Sequence, residues 1–523
     1  MRFDCSWKLN TAGCSIARWS LFAVCLLVPA DTERHVVRAA DGQLELTVVD
    51  RRTGEPIACR MHLKNAAARP HRPKRTPFWH DHFVFPGRIT LKLPVGNYTF
   101  ELERGPEYLV RGGYFTIENF ADDSKQLDMK RFVDMSAHGW WSGDLHVRRP
   151  IADIELLMKA DDLHVAQLLT WQNDRNDWAN RPPAKNPLVR FDGDRYYHVM
   201  AGAEARSGTE LLYLNLPAPL EVHRVNTEYP PLMKSVLEAR KHPDCWIDLT
   251  KPYWWDLPML VAHGQIDSIQ LAHSHICRSK TISDEGAGRP RDSRLYPAPL
   301  GNARWSQEIY FRLLDCGVRI PPAAGSGSGI TPNPLGYNRL YVHVDGRFDY
   351  QKWWQNLKAG RVVVTNGPLL RPRVNGELPG HVFRAEEGKQ LDFEIGLTLS
   401  TRRPISYLEL VKNGKVERSI RFEEYAGSGR LPKLHFARSG WFLIRAVTDL
   451  PKTYRFAMTG PYYVEIGAQR RISKQDALFF LEWVYQRASQ IKLADAKQRR
   501  EVLELHRKAR SFWEQKLRSA NAE

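Results

Sequence analysis

The chain has 523 residues, 43% of them apolar and 26% charged, the balance of a globular protein of roughly two to four domains. Its 76 Lys and Arg against 59 Asp and Glu give a formal net charge of +17, a field that favours anionic surfaces or substrates. The basic residues are spread along the chain without a helix-turn-helix, zinc-finger or RNA-binding signature, so nucleic acid is not an expected partner.

Arg2, Lys8 and Arg18 precede an apolar run from Trp19 to Ala30. That run is shorter than the roughly 20 apolar residues a bilayer span needs, and no later segment approaches that length. Residues 1–30 read as an export signal with Val28-Pro29-Ala30 at its cleavage end, placing the mature chain in the periplasm or outside the cell. Removing Cys5, Cys14 and Cys25 leaves Cys59, Cys245, Cys277 and Cys316, an even number suited to an oxidising compartment. Their spacing leaves all three pairings open. No Cys-x-x-Cys occurs, which argues against a thiolate zinc site.

Residues 41–132 alternate as a β-sandwich-like domain: Leu44 to Asp50 is a strand, and Arg88 to Leu102 reads strand, turn, strand. From 133 to 345, short apolar runs (Val165 to Leu169, Leu211 to Leu216, Ile266 to Leu271, Leu340 to Val344) alternate with helical stretches such as Ile154 to Ala160 and Ser306 to Leu314. Buried strands spaced by helices predict an α/β domain, with any chemistry at the C-terminal strand ends. Residues 346–470 return to β patterning, with strand-and-turn text at Arg361 to Pro368 and Gly440 to Val447. Residues 471–523 form an amphipathic helical tail that Ser473 caps, with Ala477, Phe480, Leu481, Val484, Ala488 and Ile491 at helical spacing.

The chemistry-bearing text begins at His138 to Pro150. As a strand it places Ser142, Asp144, His146 and Arg148 on one face, where a carboxylate and an imidazole can grip a divalent cation. A second apolar strand ends in His273-Ser274-His275, which strand alternation would set side by side as metal ligands. Glu204 is a candidate bridging ligand or general base. Asp248, inside apolar text, needs a partner if buried, and Lys251 is the nearest cation in sequence. Arg148, Arg149, Lys251 and Arg278 are candidates for a cationic pocket. The Trp-rich region from Trp140 to Trp255 suits core packing or a sugar-stacking wall.

Gly143-Asp144-Leu145-His146 after a Trp pair, Gly202-Ala203-Glu204, and Leu271 to His275 resemble the PHP (polymerase and histidinol phosphatase) superfamily. Lys358 to Leu370, followed by Asn375-Gly376-Glu377-Leu378-Pro379-Gly380, is similar to its secreted CehA/McbA-type branch. The resemblance covers about 130 to 385. It implies a distorted α/β barrel, here flanked by two β-sandwich-like domains, with a polynuclear metal centre and ester or phosphoester hydrolysis by metal-activated water. His146 and Glu204 fall on ligand positions of that pattern. Arg148 stands where a second His is expected, Lys251-Pro252 replaces His-Pro, Thr170 to Asn173 replaces Thr-Asp-His, and Gly325 to Gly329 lacks the late ligands. A guanidinium cannot ligate a cation and opposes one nearby.

Two functions follow. One is a metal-dependent hydrolase with a reduced site of His146, His273, His275, Asp144 and Glu204 holding one zinc, manganese or iron ion or none. Glu204, Arg148 and Lys251 would then act on a small anionic or glycan-like substrate. The other is an inactive PHP-like protein that binds an anionic or glycan ligand.

Overall fold

The structure, a computed structural model, describes residues 41–222 and 226–523. The export signal read at 1–30 lies outside the described residues. No described helix is long and apolar enough to cross a membrane.

The N-terminal unit contains β1 (Gly42–Asp50), β2 (Cys59–Asn65), β3 (Phe78–Trp79), β4 (His82–Phe85), β5 (Arg88–Leu93), β6 (Gly96–Glu103), β7 (Arg111–Ile117) and β8 (Asp122–Met129). These make a three-stranded sheet, β5-β1-β8, and a five-stranded one, β3-β4-β2-β6-β7. Alternation drives the pairing: Cys59, Met61 and Leu63 on β2 join Leu46, Val48, Phe83, Phe85 and Leu102 in one core. The other face of β2 carries Arg60 and His62, which are buried too. That polar face is turned away from the sandwich core, and its arginine pairs with Asp161 of the following unit.

The middle unit is a closed sheet. Its strands are β9 (Trp140–Val147), β10 (Val165–Gln172), the short β11 (Arg175–Asn176) and β12 (Leu188–Phe191), β13 (Arg195–Arg206), β14 (Thr209–Leu214), β15 (Trp246–Leu249), β16 (Ser268–Ala272) and β17 (Pro322–Ala324). Parallel pairs β9/β10, β10/β13, β15/β16 and β16/β17 are interrupted by the antiparallel β14. The segment after β17 closes the ring on β9: Gly327 N–H donates to the His146 carbonyl (2.9 Å) and Arg148 N–H to the Ser328 carbonyl (2.7 Å). Helices α1 (Ile154–Ala160), α2 (Leu232–Ala239), α3 (Leu257–Ala262) and α4 (Gly301–Asp315) fill the connections. The helical stretch expected at Ile154 to Ala160 is α1 itself.

One close approach inside this ring depends on a missing side chain. A Cβ at Gly202 on β13 would fall within the indole of Trp171 on the neighbouring β10. Trp171 in turn stacks at 6.1 Å on Tyr213 of β14. Gly202→Ala is therefore expected to cost about 1–3 kcal/mol through overpacking, read as a lower urea midpoint. An unchanged midpoint would mean that the ring moves freely.

The ladder does not stop at residue 345. β18 (Arg339–His343) pairs antiparallel with β9 on one side and with β19 (Val362–Thr365) on the other. β19 then joins the strand Phe456–Thr459 of the C-terminal β unit. Between β18 and β19, α5 (Tyr350–Lys358) presses Trp353 against Gly143, where a Cβ would come within 2.6 Å of the indole. The C-terminal unit has its own core of Leu408, Leu410, Phe442, Ile444 and Tyr462, and carries α6 (Phe422–Ser428).

The tail is the expected helical pair, α7 (Lys474–Gln490) and α8 (Ala496–Arg518). Ser473 caps α7 by accepting from the Asp476 N–H at 3.2 Å. The pair docks on the middle unit through its apolar stripe: Phe480 stacks on Trp513 at 4.7 Å, and the Trp513 indole donates to the Pro258 carbonyl at 3.0 Å.

Cys59, Cys245, Cys277 and Cys316 are free and buried. No pairing of the three possible ones forms; each thiol packs as a small apolar group in its own surroundings.

Candidate functional site

Because four of the six strand pairs of the ring are parallel, as is the bridge from Val147 to Ser328 that closes it, the C-terminal ends of β9, β10, β13, β15, β16 and β17 gather at one mouth, joined by the N-terminal end of the reversed β14. His146, Arg148, Arg149 and Lys251 lie toward that end, whereas Arg278, expected in the same cationic pocket, turns to the N-terminal unit and pairs with Glu101 and Glu103. The geometry decides which of them are free to act.

Asp144 is fully buried and spent on backbone. Its carboxylate accepts from the N–H groups of His146 (3.0 Å), Ser326 (3.0 Å) and Gly336 (2.8 Å), which fastens the late glycine-rich loop over β9. Burial pushes its carboxyl up to about 6 against the pull of those donors. Glu204 is also fully buried, and it is held by Arg206: Nε donates at 2.7 Å and Nη2 makes a second bond to the same oxygen. Its other oxygen accepts from the Tyr213 hydroxyl at 3.1 Å. The carboxylate thus works as half of an interior ion pair.

The His273 and His275 imidazoles are not presented side by side from a strand. β16 ends at Ala272, so period-2 alternation stops before them. The His275 N–H donates to His273 Nδ1 (3.3 Å), His273 Nε2 meets the Ser306 hydroxyl (2.9 Å), and His275 Nδ1 lies 3.0 Å from the Tyr253 hydroxyl. Asp248 finds its partners in the Ser268 hydroxyl and the Gln270 amide rather than in Lys251. Burial pushes its carboxyl up to about 7.

His146 is different. It is 1% exposed, and neither ring nitrogen makes a hydrogen bond within the protein. The late loop presses on it: a Cβ at Gly325 would lie 2.5 Å from the His146 Cβ. Burial pulls its imidazole down to about 4, with Arg148 and Lys251 adding to the effect and Glu210 opposing it. The ring is therefore neutral at neutral pH.

Glu210, at the start of β14, was not singled out from sequence. It accepts from the Thr250 hydroxyl at 2.9 Å and stands 3.8 Å from the Lys251 ammonium. Burial pushes its carboxyl up, but Lys251, His146, the Thr250 hydroxyl and Arg148 outweigh that and hold it below its usual range. Its signal in the sequence was faint: a Glu beginning an apolar run reads as a solvated strand edge, and only ring closure carries it inward.

Arg148 lies just past β9, with Nε and Nη2 buried and unbonded within the protein; Arg149 Nη1 is in the same condition. Both line a cleft of about 320 Å³ together with Thr170, Trp171, Gln172 and Arg175. Most tryptophans of the region serve the core: Trp140, Trp141, Trp171, Trp246 and Trp254 are buried.

A metal centre at this mouth needs several lone pairs converging on one point. Asp144, Glu204 and His273 are engaged, His275 is held through Nδ1, and of these candidates only the His146 ring makes no hydrogen bond at all. Among the described residues, the His, Asp and Glu groups close enough to share an ion lie in the N-terminal unit. The donor set at the mouth does not fit a metal centre.

The neutral state of His146 sets an acid limit on stability. A buried imidazole titrating near 4 rather than at its ordinary 6.5 contributes stability that is complete above pH 6.5 and is lost as pH falls toward 4. His146→Gln is expected to flatten the fall of Tm between pH 6.5 and 4 relative to the unsubstituted chain. Parallel curves would show that His146 charges freely in the folded state.

Fold and site together define an α/β protein with a closed sheet and a cationic mouth. No family profile matches the chain, and no curated protein sequence does. Among solved structures, the Bacillus anthracis TIE protein is similar over 22% of this chain at 21% identity and a TM-score of 0.15. The chain spans only 20% of that protein's length. The N-terminal four Ig domains of Dscam1 isoform 4.4 align over 82% of this chain and 100% of theirs, at 9% identity and a TM-score of 0.13.

Proposed function

We propose that this chain is an exported PHP-like protein whose barrel mouth binds a small anionic or glycan-like molecule. The observation that carries the reading is the pair of arginines at the cleft, Arg148 and Arg149, with guanidinium nitrogens buried and unbonded within the protein. A buried, unpaired cationic donor costs several times what a satisfied one does. An anion with planar oxygens, such as a carboxylate, sulfate or phosphate, would satisfy both and gain charge-assisted bonds. Arg175 adds to the positive field, and the Trp171 edge offers an apolar wall.

Titration calorimetry with inorganic phosphate, p-nitrophenyl phosphate and glucuronate tests this. Arg148→Ala is expected to weaken the best of the three by about tenfold or more, the loss of one charge-assisted bond. Equal affinity in the variant would sink the proposal.

Ester or phosphoester hydrolysis, the activity the PHP resemblance implies, stands as a second reading, without the metal centre that the donors at the mouth do not fit. One observation favours it: His146, neutral and unbonded, shares the interior with Glu210. Ester or phosphoester turnover that vanishes in His146→Gln and survives in Arg148→Ala would put that reading first.

A further inference from the structure

We propose that the N-terminal sheet carries a divalent transition-metal site of the zinc type, formed by His62, Asp81 and His82. It is separate from the barrel mouth and does not depend on the function proposed for it.

The sheet order places the donors in a row. β4, β2 and β6 are neighbours, and their registers set His62 opposite Glu101 and, one step beyond the Met61–Phe83 pair, alongside His82. All lie on the polar face of the sheet, since the alternate residues Met61, Leu63 and Phe83 fill the sandwich core. Asp81, in the turn between β3 and β4, bridges the two imidazoles. One of its oxygens is 3.3 Å from His62 Nδ1 and the other 3.1 Å from His82 Nδ1. One donor atom from each of the three residues falls within 4.8 Å of the others. Tetrahedral zinc with bonds near 2.0–2.1 Å separates its ligands by about 3.3 Å.

His62 supplies the independent sign of a ligand. It is 5% exposed, and neither of its ring nitrogens makes a hydrogen bond in the protein. Its Nε2 is 3.9 Å from Glu103, too far for a bond. Its Nδ1 faces the Asp81 carboxylate without a well-formed bond and its Nε2 has no partner, an arrangement that is costly for a buried imidazole unless a cation joins the groups. The nearby guanidiniums are already matched, Arg60 to Glu103 and Asp161, and Arg278 to Glu101 and Glu103. Two imidazoles with one carboxylate suit zinc better than the all-oxygen preference of magnesium or calcium.

The site also has a mechanical position. The same β3–β4 turn reaches the barrel: the Trp79 indole donates to the Thr331 carbonyl at 2.8 Å, and Arg149 lies over the Trp79 ring at 5.4 Å. An ion held by His62, Asp81 and His82 would fasten the N-terminal sheet beside the cleft. Asp81 and His82 are neighbours in the chain, but His62 lies 20 residues before His82 on another strand and joins them only once β2 and β4 pair.

The test uses the full chain, stripped with chelator and titrated with Zn²⁺ and, as a spectroscopic probe, Co²⁺. One equivalent of Zn²⁺ is expected, with Co²⁺ giving visible d–d absorption and Zn²⁺ raising Tm. His82→Gln and Asp81→Asn should each lose that equivalent, whereas His146→Gln should keep it. Failure of the unsubstituted chain to take up either ion overturns the proposal regardless of how the variants fold. Retention of metal in folded His82→Gln, or its loss in His146→Gln, overturns it equally.

Discussion

Asp162→Ala is expected to destabilise the folded chain by about 3–5 kcal/mol, the cost of removing one partner from buried ion pairs. The carboxylate is 2% exposed and receives three arginines. Arg195 Nη2 bonds one oxygen at 2.7 Å, Arg104 Nη2 lies 3.6 Å from that same oxygen, and Arg131 bonds the other. Arg104 and Arg131 come from the N-terminal unit and its exit, Arg195 from β13. Without Asp162, three guanidiniums are left converging without the carboxylate they share. Burial pushes the Asp162 carboxyl up, but the three guanidiniums and His164 overcome it and hold it well below the usual range. A depressed acid contributes stability that is complete above the unfolded value near 3.9 and is lost as pH falls below it. The unsubstituted chain should therefore lose stability below about pH 4 in a step that Asp162→Ala lacks. Urea unfolding at pH 7 and pH 3 measures both effects. A loss under about 1 kcal/mol at pH 7 would mean that the cluster is worth no more than a surface pair.

Arg206→Met is expected to cost a similar amount, about 3–5 kcal/mol, because it strands Glu204 as an unpaired interior charge. The side chains are 2% and 0% exposed, so water cannot replace the guanidinium. The variant also gives up the Arg206 bond to the Pro230 carbonyl at 2.6 Å. Adding Glu204→Gln should recover a large part of the loss, since a neutral amide keeps its bond to Tyr213 without a charge to solvate. This double-mutant cycle bears on function as well as stability. If Glu204 were a metal ligand, Arg206→Met would free it, and metal uptake at the mouth would rise with little unfolding. Near-neutral stability with increased uptake is the outcome that contradicts the structural role.

Much of the chain was legible before folding because its cues are local. The helix Ile154–Ala160, the Ser473 cap and the alternation on β1 each depend on neighbours within one or two turns. The placing of His146, Glu204 and Lys251 at one end of the barrel followed from strand ends, as expected for mostly parallel strands. Availability of those side chains was another matter. Glu204 looked like a ligand because a carboxylate is a ligand wherever it is free, and Arg206, two residues on, gave no hint that it would turn back to hold it. His273-Ser274-His275 looked like a metal pair because the strand was extrapolated three residues past Ala272. The C-terminal β unit was separated from the barrel at 345 by a change of texture, although β18 and β19 hydrogen-bond across that point.

What the sequence determined by itself was the order of elements, the apolar face of each and the set of residues able to do chemistry. These are properties of composition and short-range periodicity. Only the tertiary structure decided which of those residues were already paired. A hydrogen bond or ion pair between positions far apart in the chain, such as Asp144 with Gly336 or Arg60 with Asp161, leaves no periodic trace. Ring closure and domain contact made the partnerships, and they left His146 without any.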